Sequence, residues 1–372
     1  MMIEELIESF QGCNKEREEM LAEIKKLSND YPICMLGNGE FANSVETLLN
    51  CNSISVSDRF VDEAYLSDNC KLTIDDCLEK YNEIVVVIGT VIPNIVKERK
   101  KSLASRDGVK AVFFLGDNYP AGKPYIDIEF VQDNIDKIND TLEMLEDDLS
   151  RLSMMNFLKA KLSGKSEKYL NEKNAFDKAG IEYFNPVFPA ELYLKDKEVF
   201  VDGGAYDGDT YADCIKRGVN FGKYYAFEPD TSNYERLLNA CKEDDRCVCK
   251  KEGLYSEEKT LKFSLSGDMS SKVVDLSEGY TEVQVTNIDK SAGDATFIKL
   301  DIEGSEVDAL KGAVDTIRKN TPKLAICAYH KMEDVFKIPL LIKEINKDYR
   351  IFYRIHQNDW CRDLILYAYN NK

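Results

Sequence analysis

The sequence predicts an α/β protein of two domains joined by a helical connector. Three observations carry this reading. At 372 residues the chain is longer than one hydrophobic core usually spans, which points to about two domains of roughly 100–200 residues each. Short apolar runs alternate with helical segments from Tyr31 to Leu115, and again from Val199 almost to the end. Between Val131 and Lys195 no strand pattern survives. Apolar residues make up 44% of the chain and charged residues 31%, so proper cores form and the chain is not disordered. Acids outnumber bases 67 to 49, a formal charge of −18. Such a surface repels phosphate backbones and anionic lipid, which excludes nucleic acid and membrane surfaces as expected partners. No apolar run reaches about 18 residues, and the opening MMIEELIESF lacks a basic stretch followed by a hydrophobic one. The expectation is a soluble, cytoplasmic protein. Eleven cysteines scattered from Cys13 to Cys361 contain no CxxC pair and read as reduced thiols. Only two histidines occur, His330 and His356.

Taken in order, residues 2–29 place Ile3, Leu6, Ile7, Phe10, Met20, Leu21, Ile24 and Leu27 at helical spacing. This helix packs on the following domain, with a homodimer contact as its other role. Ile33–Leu36 reads as a strand, and Gly37-Asn38-Gly39-Glu40-Phe41-Ala42 as a turn opening a helix. Ser53–Ser57 reads as a second strand ending at Asp58, with further buried strands at Ile84–Ile88 and Lys110–Leu115 and a helix near Pro93–Ser105. Alternating βα units of this kind predict a small, parallel, Rossmann-like domain, so that residues 1–130 hold the first helix and this sheet. Residues 131–195 form the connector, with apolar repeats at Ile135, Ile138, Leu142, Leu145, Leu149 and Leu152. Residues 196–372 form the second domain. Its strands are Val199–Asp202, Tyr224–Phe227, Cys247–Lys250, Thr296–Asp301, Lys323–Tyr329, Arg350–Ile355 and Leu364–Tyr369, the last two paired as an antiparallel hairpin.

Three strand ends carry chemistry. In Val199-Phe200-Val201-Asp202-Gly203-Gly204-Ala205-Tyr206-Asp207-Gly208-Asp209-Thr210, a strand ends in an acid and a glycine-rich loop turns into a helix. The glycines permit close backbone approach to a ligand, while the crowded carboxylates suit a cationic ligand better than a pyrophosphate. Tyr224–Pro229 is a strand ending in Glu228, 26 residues beyond Asp202. An acid there can accept both ribose hydroxyls of a nucleoside; the competing role is a helix cap. Phe297–Glu306 again ends a strand in an acid. Alternation places Lys299 and Asp301 on one side, with Glu303 just beyond, while Ser305 and Glu306 have the local reading of a helix start.

Together these segments resemble the FkbM family of S-adenosylmethionine-dependent methyltransferases. The matching residues are VFVDGGAYDGDT at 199–210, YAFEPD at 225–230, FIKLDIEGSEVDALKGA at 297–313, KLAICAYHKMEDVFKIP at 323–339 and LILYA at 364–368. They lie in order over nearly half the chain. The resemblance implies the seven-stranded class I methyltransferase fold, with Asp202, Gly204 and Gly208 in the cofactor loop and Glu228 on the ribose. The full set of expected cofactor contacts is Asp202, Gly203, Gly204, Ala205, Tyr206, Asp207, Gly208, Thr210, Glu228, Pro229 and Asp301. S-adenosylmethionine carries a sulfonium cation and no phosphate, in keeping with the acidic loop.

Methyl transfer needs an aligned nucleophile, and a base if the nucleophile is a hydroxyl. Asp301 and His330 end neighbouring strands on the ligand-binding edge, which makes His330 the expected base, with Asp301 and Lys299 beside it. His356 either faces the same cleft or sits in the hairpin. Asp301, Glu303 and His330 also suit a divalent ion that orients a diol, a reading not favoured here. The loop Ser266–Ser271 reads as a ligand loop or a surface turn. In the first domain, Gly37–Ala42 with Asp58 fits a G-x-G-x-x-A nucleotide fingerprint; a turn needing glycines for close packing is the other account. The leading expectation is O-methylation of a small-molecule or carbohydrate hydroxyl, on a sugar, nucleotide-sugar or glycan. The rivals are an NAD(P)-dependent oxidoreductase and a non-catalytic nucleotide-sugar-binding protein, both using the Gly37–Ala42 loop.

Overall fold

The computed structural model describes residues 3–68, 70–90, 93–115, 126–170, 182–184, 187–188, 197–264, 272–273, 280–357 and 362–370. The Ser266–Ser271 loop lies outside them. The chain forms two compact units. The first comprises Met1–Asn139, Leu152–Phe176 and Gln357–Arg362, the second Asp140–Arg151, Asp177–His356 and Asp363–Lys372. Among the described residues no helix is long and apolar enough to cross a membrane.

The first unit opens with the helix Ile3–Leu27, whose buried Leu6, Phe10, Cys13, Leu21 and Ile24 form one stripe. Four strands follow: β1 Ile33–Leu36, β2 Val56–Phe60, β3 Ile84–Ile88 and β4 Val109–Phe114. They pair in the order β2-β1-β3-β4, all parallel. β1 and β3, the two central strands, are buried at every position, as expected of an apolar run covered on both faces. The second strand starts later than the sequence suggests. Ser53 has φ +58, and the Ile54 N–H still donates to Leu49 O, so the chain is finishing the preceding helix there. Asp58 consequently falls inside β2 rather than at its end. The helices Ile128–Asp133, Ile135–Met144, Asp148–Ser163 and Ser166–Tyr169 occupy the first part of the stretch read as a connector.

The second unit is built on seven strands: β5 Glu198–Gly203, β6 Phe221–Phe227, β7 Cys247–Lys250, β12 Phe297–Leu300, β13 Lys323–Cys327, β14 Arg350–Gln357 and β15 Arg362–Tyr369. Their order is β14-β15-β13-β12-β5-β6-β7, with β15 antiparallel to β13. Chain order reverses between β12 and β5, which makes the crevice at their carboxyl ends the place where such sheets bind ligands. Phe200 stacks on Phe297 at 4.7 Å and on Tyr224 at 5.0 Å, one ring from each of three adjacent strands. These rings pin the register Phe297↔Phe200, and two residues on the same register sets Lys299 beside Asp202.

A second, four-stranded sheet is the main feature that the sequence reading lacks. β8 Gly253–Leu254, β9 Lys259–Ser264, β10 Lys272–Val273 and β11 Tyr280–Thr286 lie between β7 and β12 in the chain and pair in the order β10-β9-β11-β8. One further tie brings part of the helical stretch into this unit: Arg354, only 6% exposed, donates to both carboxylate oxygens of Asp147 and to Ser150 Oγ.

Candidate active site

The glycine loop after β5 is fastened on two sides. The Gly204 and Ala205 N–H groups both donate to Phe227 O at 3.0 Å, and the Asp301 N–H donates to Gly203 O at 3.0 Å. Gly204 has φ +74, and a Cβ built on it would stand 1.8 Å from Asp301 O. No residue with a side chain fits there without separating the loop from the end of β12. Asp202 is fully buried, takes Lys299 Nζ at 2.9 Å and accepts the Tyr224 hydroxyl at 2.6 Å. Lys299 also donates to the carbonyls of Gly203 and Gly204. Burial opposes its charge, but Asp202 and Asp301 hold its pKa above the ordinary lysine value. A lysine kept charged in this way supports the loop and does not take a proton from an acceptor.

Glu228 follows the end of β6 and is 6% exposed. Its two oxygens accept the Tyr206 N–H at 3.0 Å and the Asp230 N–H at 2.9 Å. Tyr206 takes the left-handed conformation at φ +47, and Arg236 lies 5.2 Å above its ring. Burial pushes the Glu228 carboxyl up to about 7, against those two N–H groups that favour its ionised form. Of the other loop residues, Gly208 precedes the helix Asp209–Arg217, and Thr210 donates its N–H to Asp209 Oδ1 at 2.6 Å.

Between these groups runs an open cleft. Gly204, Glu228 and Pro229 line one end, Asp301, Glu303 and Ser305 the other, and Leu254, Tyr255, Leu261 and Val285 add an apolar wall. That lining, an apolar wall with a few convergent carboxylates, suits a nucleoside. The wall comes largely from the unforeseen sheet; its signal was the period-two alternation in Lys259–Ser264 and Tyr280–Thr286.

At the far end Asp301 Oδ2 accepts the Tyr183 hydroxyl at 3.0 Å and Oδ1 the Tyr329 hydroxyl at 3.3 Å. His330, 5% exposed, puts Nε2 3.3 Å from Asp301 Oδ1 and 3.6 Å from Glu303 Oε2. Its Nδ1 meets Glu306 Oε1 at 2.9 Å. Burial works against a charged imidazole, but Glu306 and Glu303 outweigh it and push the pKa up to about 10. At neutral pH this histidine holds a proton on each nitrogen, so it does not act as the free base the sequence suggested. Glu306, read from sequence as a helix-start residue, is fully buried and hydrogen-bonded to His330 and to the Ile302 N–H. His356 lies on β14 with Nε2 2.8 Å from the Tyr367 hydroxyl, which also accepts the Tyr183 N–H at 3.0 Å.

The nucleotide fingerprint of the first unit has a different look. Its Asp58 carboxylate is taken by Lys80 at 2.8 Å and the Tyr81 hydroxyl at 2.6 Å. Gly37, at φ +117, packs against the backbone of Gly89, whose carbonyl oxygen a Cβ would meet at 2.5 Å. The glycine there serves close strand–turn packing.

Residues 202–351 match the family model described as the methyltransferase FkbM domain. No curated protein matches the chain. Among solved structures, methyltransferase FkbM from Methylobacillus flagellatus KT is 21% identical over 99% of this chain and 100% of that one, with a TM-score of 0.66. A fibrillarin from Aeropyrum pernix, described in complex with natively bound S-adenosyl-L-methionine, is 9% identical over 47% of this chain and 68% of that one, with a TM-score of 0.31. A putative rRNA methylase from Clostridium thermocellum is 12% identical over 49% and 92%, with a TM-score of 0.31. The chain has a mixed α/β fold matching that of an FkbM methyltransferase, and the match of residues 202–351 to the FkbM domain model supports a methyltransferase.

Proposed function

We propose that the second unit is an S-adenosylmethionine-dependent methyltransferase acting on a hydroxyl of a sugar, nucleotide-sugar or glycan. The observation that carries this reading is the single cleft running from Glu228 and the glycine loop to Asp301 and Glu303. The residues fit the cofactor: a buried carboxylate stands where ribose hydroxyls need acceptors, and the Gly204 cradle leaves no room for a Cβ. When bound, S-adenosylmethionine supplies an electrophilic methyl group. Glu228 holds the ribose by hydrogen bonds to a charged acceptor, worth roughly 1.5–3 kcal/mol. Leu254 and Tyr255 give the base an apolar wall and exclude water. At the other end Asp301, flanked by the Tyr183 and Tyr329 hydroxyls, accepts a hydrogen bond from the acceptor hydroxyl, fixes its direction and takes its proton as the oxygen–methyl bond forms and the sulfur–methyl bond breaks; alignment supplies much of the rate in such a transfer. Burial raises the Asp301 pKa, but His330 and Lys299 more than offset this, so the carboxyl lies below the ordinary value and stays ionised in the neutral range.

The test is a transfer assay with methyl-labelled S-adenosylmethionine and a panel of free sugars, nucleotide-sugars and glycans. Label on a sugar oxygen, with one S-adenosylhomocysteine released per methyl, is the expected result. Label only on nitrogen acceptors, or none on any acceptor, contradicts the reading.

A further inference from the structure

We propose that His330, Asp301 and Glu303 form a divalent-cation site at the acceptor end of the cleft, with Glu306 orienting the imidazole. The first support is geometric. Asp301 follows β12, Glu303 stands in the turn after it, and His330 follows the end of β13, three positions that the parallel β12–β13 pairing brings to one corner. Nε2 lies 3.3 Å from Asp301 Oδ1 and 3.6 Å from Glu303 Oε2. A cation bound at about 2.1 Å separates neighbouring donors by roughly 3.0–3.5 Å, so these spacings require only small side-chain adjustments.

The second support is independent of the number of acids. His330 is 5% exposed, and its Nε2 makes no hydrogen bond although it faces two carboxylates. A buried nitrogen left this way costs about 1–3 kcal/mol unless something satisfies it. Its other nitrogen meets Glu306 Oε1 at 2.9 Å, and Glu306 is itself braced by the Ile302 N–H at 2.9 Å. A carboxylate on Nδ1 fixes the imidazole with Nε2 facing Asp301 and Glu303, where a bound cation takes the place of the Nε2 proton, the arrangement that orients histidine ligands in metal sites. One imidazole and two carboxylates are a mixed, mainly oxygen set, which suits a manganese-like divalent ion. Use of the ion to hold the acceptor hydroxyl rests on the methyl-transfer reading above; its binding does not.

The experiment titrates Mn²⁺ into the full chain and follows the free ion by electron paramagnetic resonance. One equivalent is expected to bind, with affinity lowered at least tenfold in Glu303→Gln and in His330→Ala. Glu306→Gln, which keeps the ligands and weakens the orienting carboxylate, is expected to lose roughly 10–100-fold. Thermal unfolding confirms that each variant folds, and Glu303→Gln on its half-buried turn keeps the test decisive if His330→Ala does not. Mn²⁺ that stays free at millimolar concentration, or that binds wild type and Glu303→Gln alike, overturns the site. S-adenosylhomocysteine binding measured on the wild type separates the two ideas: Mn²⁺ bound without it retains the metal site and removes the methyl-transfer reading.

Discussion

Glu228 shows how much one buried carboxyl determines. Its pKa, pushed up to about 7 by burial, lies above the ordinary carboxylate value. The folded protein therefore binds that proton more tightly than the unfolded chain. The stability this contributes is fully present at acid pH and is lost as pH rises toward 7. Ligand binding runs the opposite way, because a ribose hydroxyl donates best to the ionised form. S-adenosylhomocysteine affinity, measured by calorimetry, is expected to rise about tenfold from pH 6 to pH 8. Glu228→Gln should bind weakly with a flat profile; a wild-type profile that is flat or falls with pH removes Glu228 from the cofactor. Legibility at this scale depended on chain position. Asp202, Glu228 and Asp301 were readable because an acid closing an apolar strand has no local explanation. Glu306 was not, because an acid in a first helical turn has one, and only the fold shows that it is fully buried against His330. Lys299 and Asp202 were both singled out, but their pairing depends on the β5–β12 register, which no single segment encodes.

Between elements, the decisive joint is the glycine loop against the end of β12. Gly204→Ala must move either the loop or Asp301 O, since the new Cβ would stand 1.8 Å from that oxygen. The left-handed backbone adds strain of about 1–3 kcal/mol. Denaturant unfolding is expected to show a loss of that size, and calorimetry at least tenfold weaker S-adenosylhomocysteine binding. A variant matching wild type in both would mean that the loop is not held as described. The strands of the seven-stranded sheet were legible as apolar runs between helices, with ends shifted by at most three residues. β8 to β11 were missed for a physical reason: β8 and β10 are only two residues long and β9 and β11 are half polar, so they give a weak signal beside the apolar runs of β5 and β13. That omission also hid Leu254, Tyr255, Leu261 and Val285 of the cleft wall.

For the whole molecule, the question is which of two parallel-type crevices binds a nucleoside cofactor. Sequence offered both, since each has a glycine turn with an acid further on. The first unit's Asp58 lies within β2 and is held by Lys80 and Tyr81, whereas the second unit's Glu228 borders an open cleft. Hydrogen exchange over the full chain, with S-adenosylhomocysteine and separately with NAD, tests this most directly. The account predicts slower exchange at 203–210, 227–230 and 301–306 with S-adenosylhomocysteine, no change at 36–43 or 56–61, and no protection by NAD. Protection by NAD at 36–43, with S-adenosylhomocysteine leaving 203–210 unchanged, would contradict it and move the chemistry to the first unit.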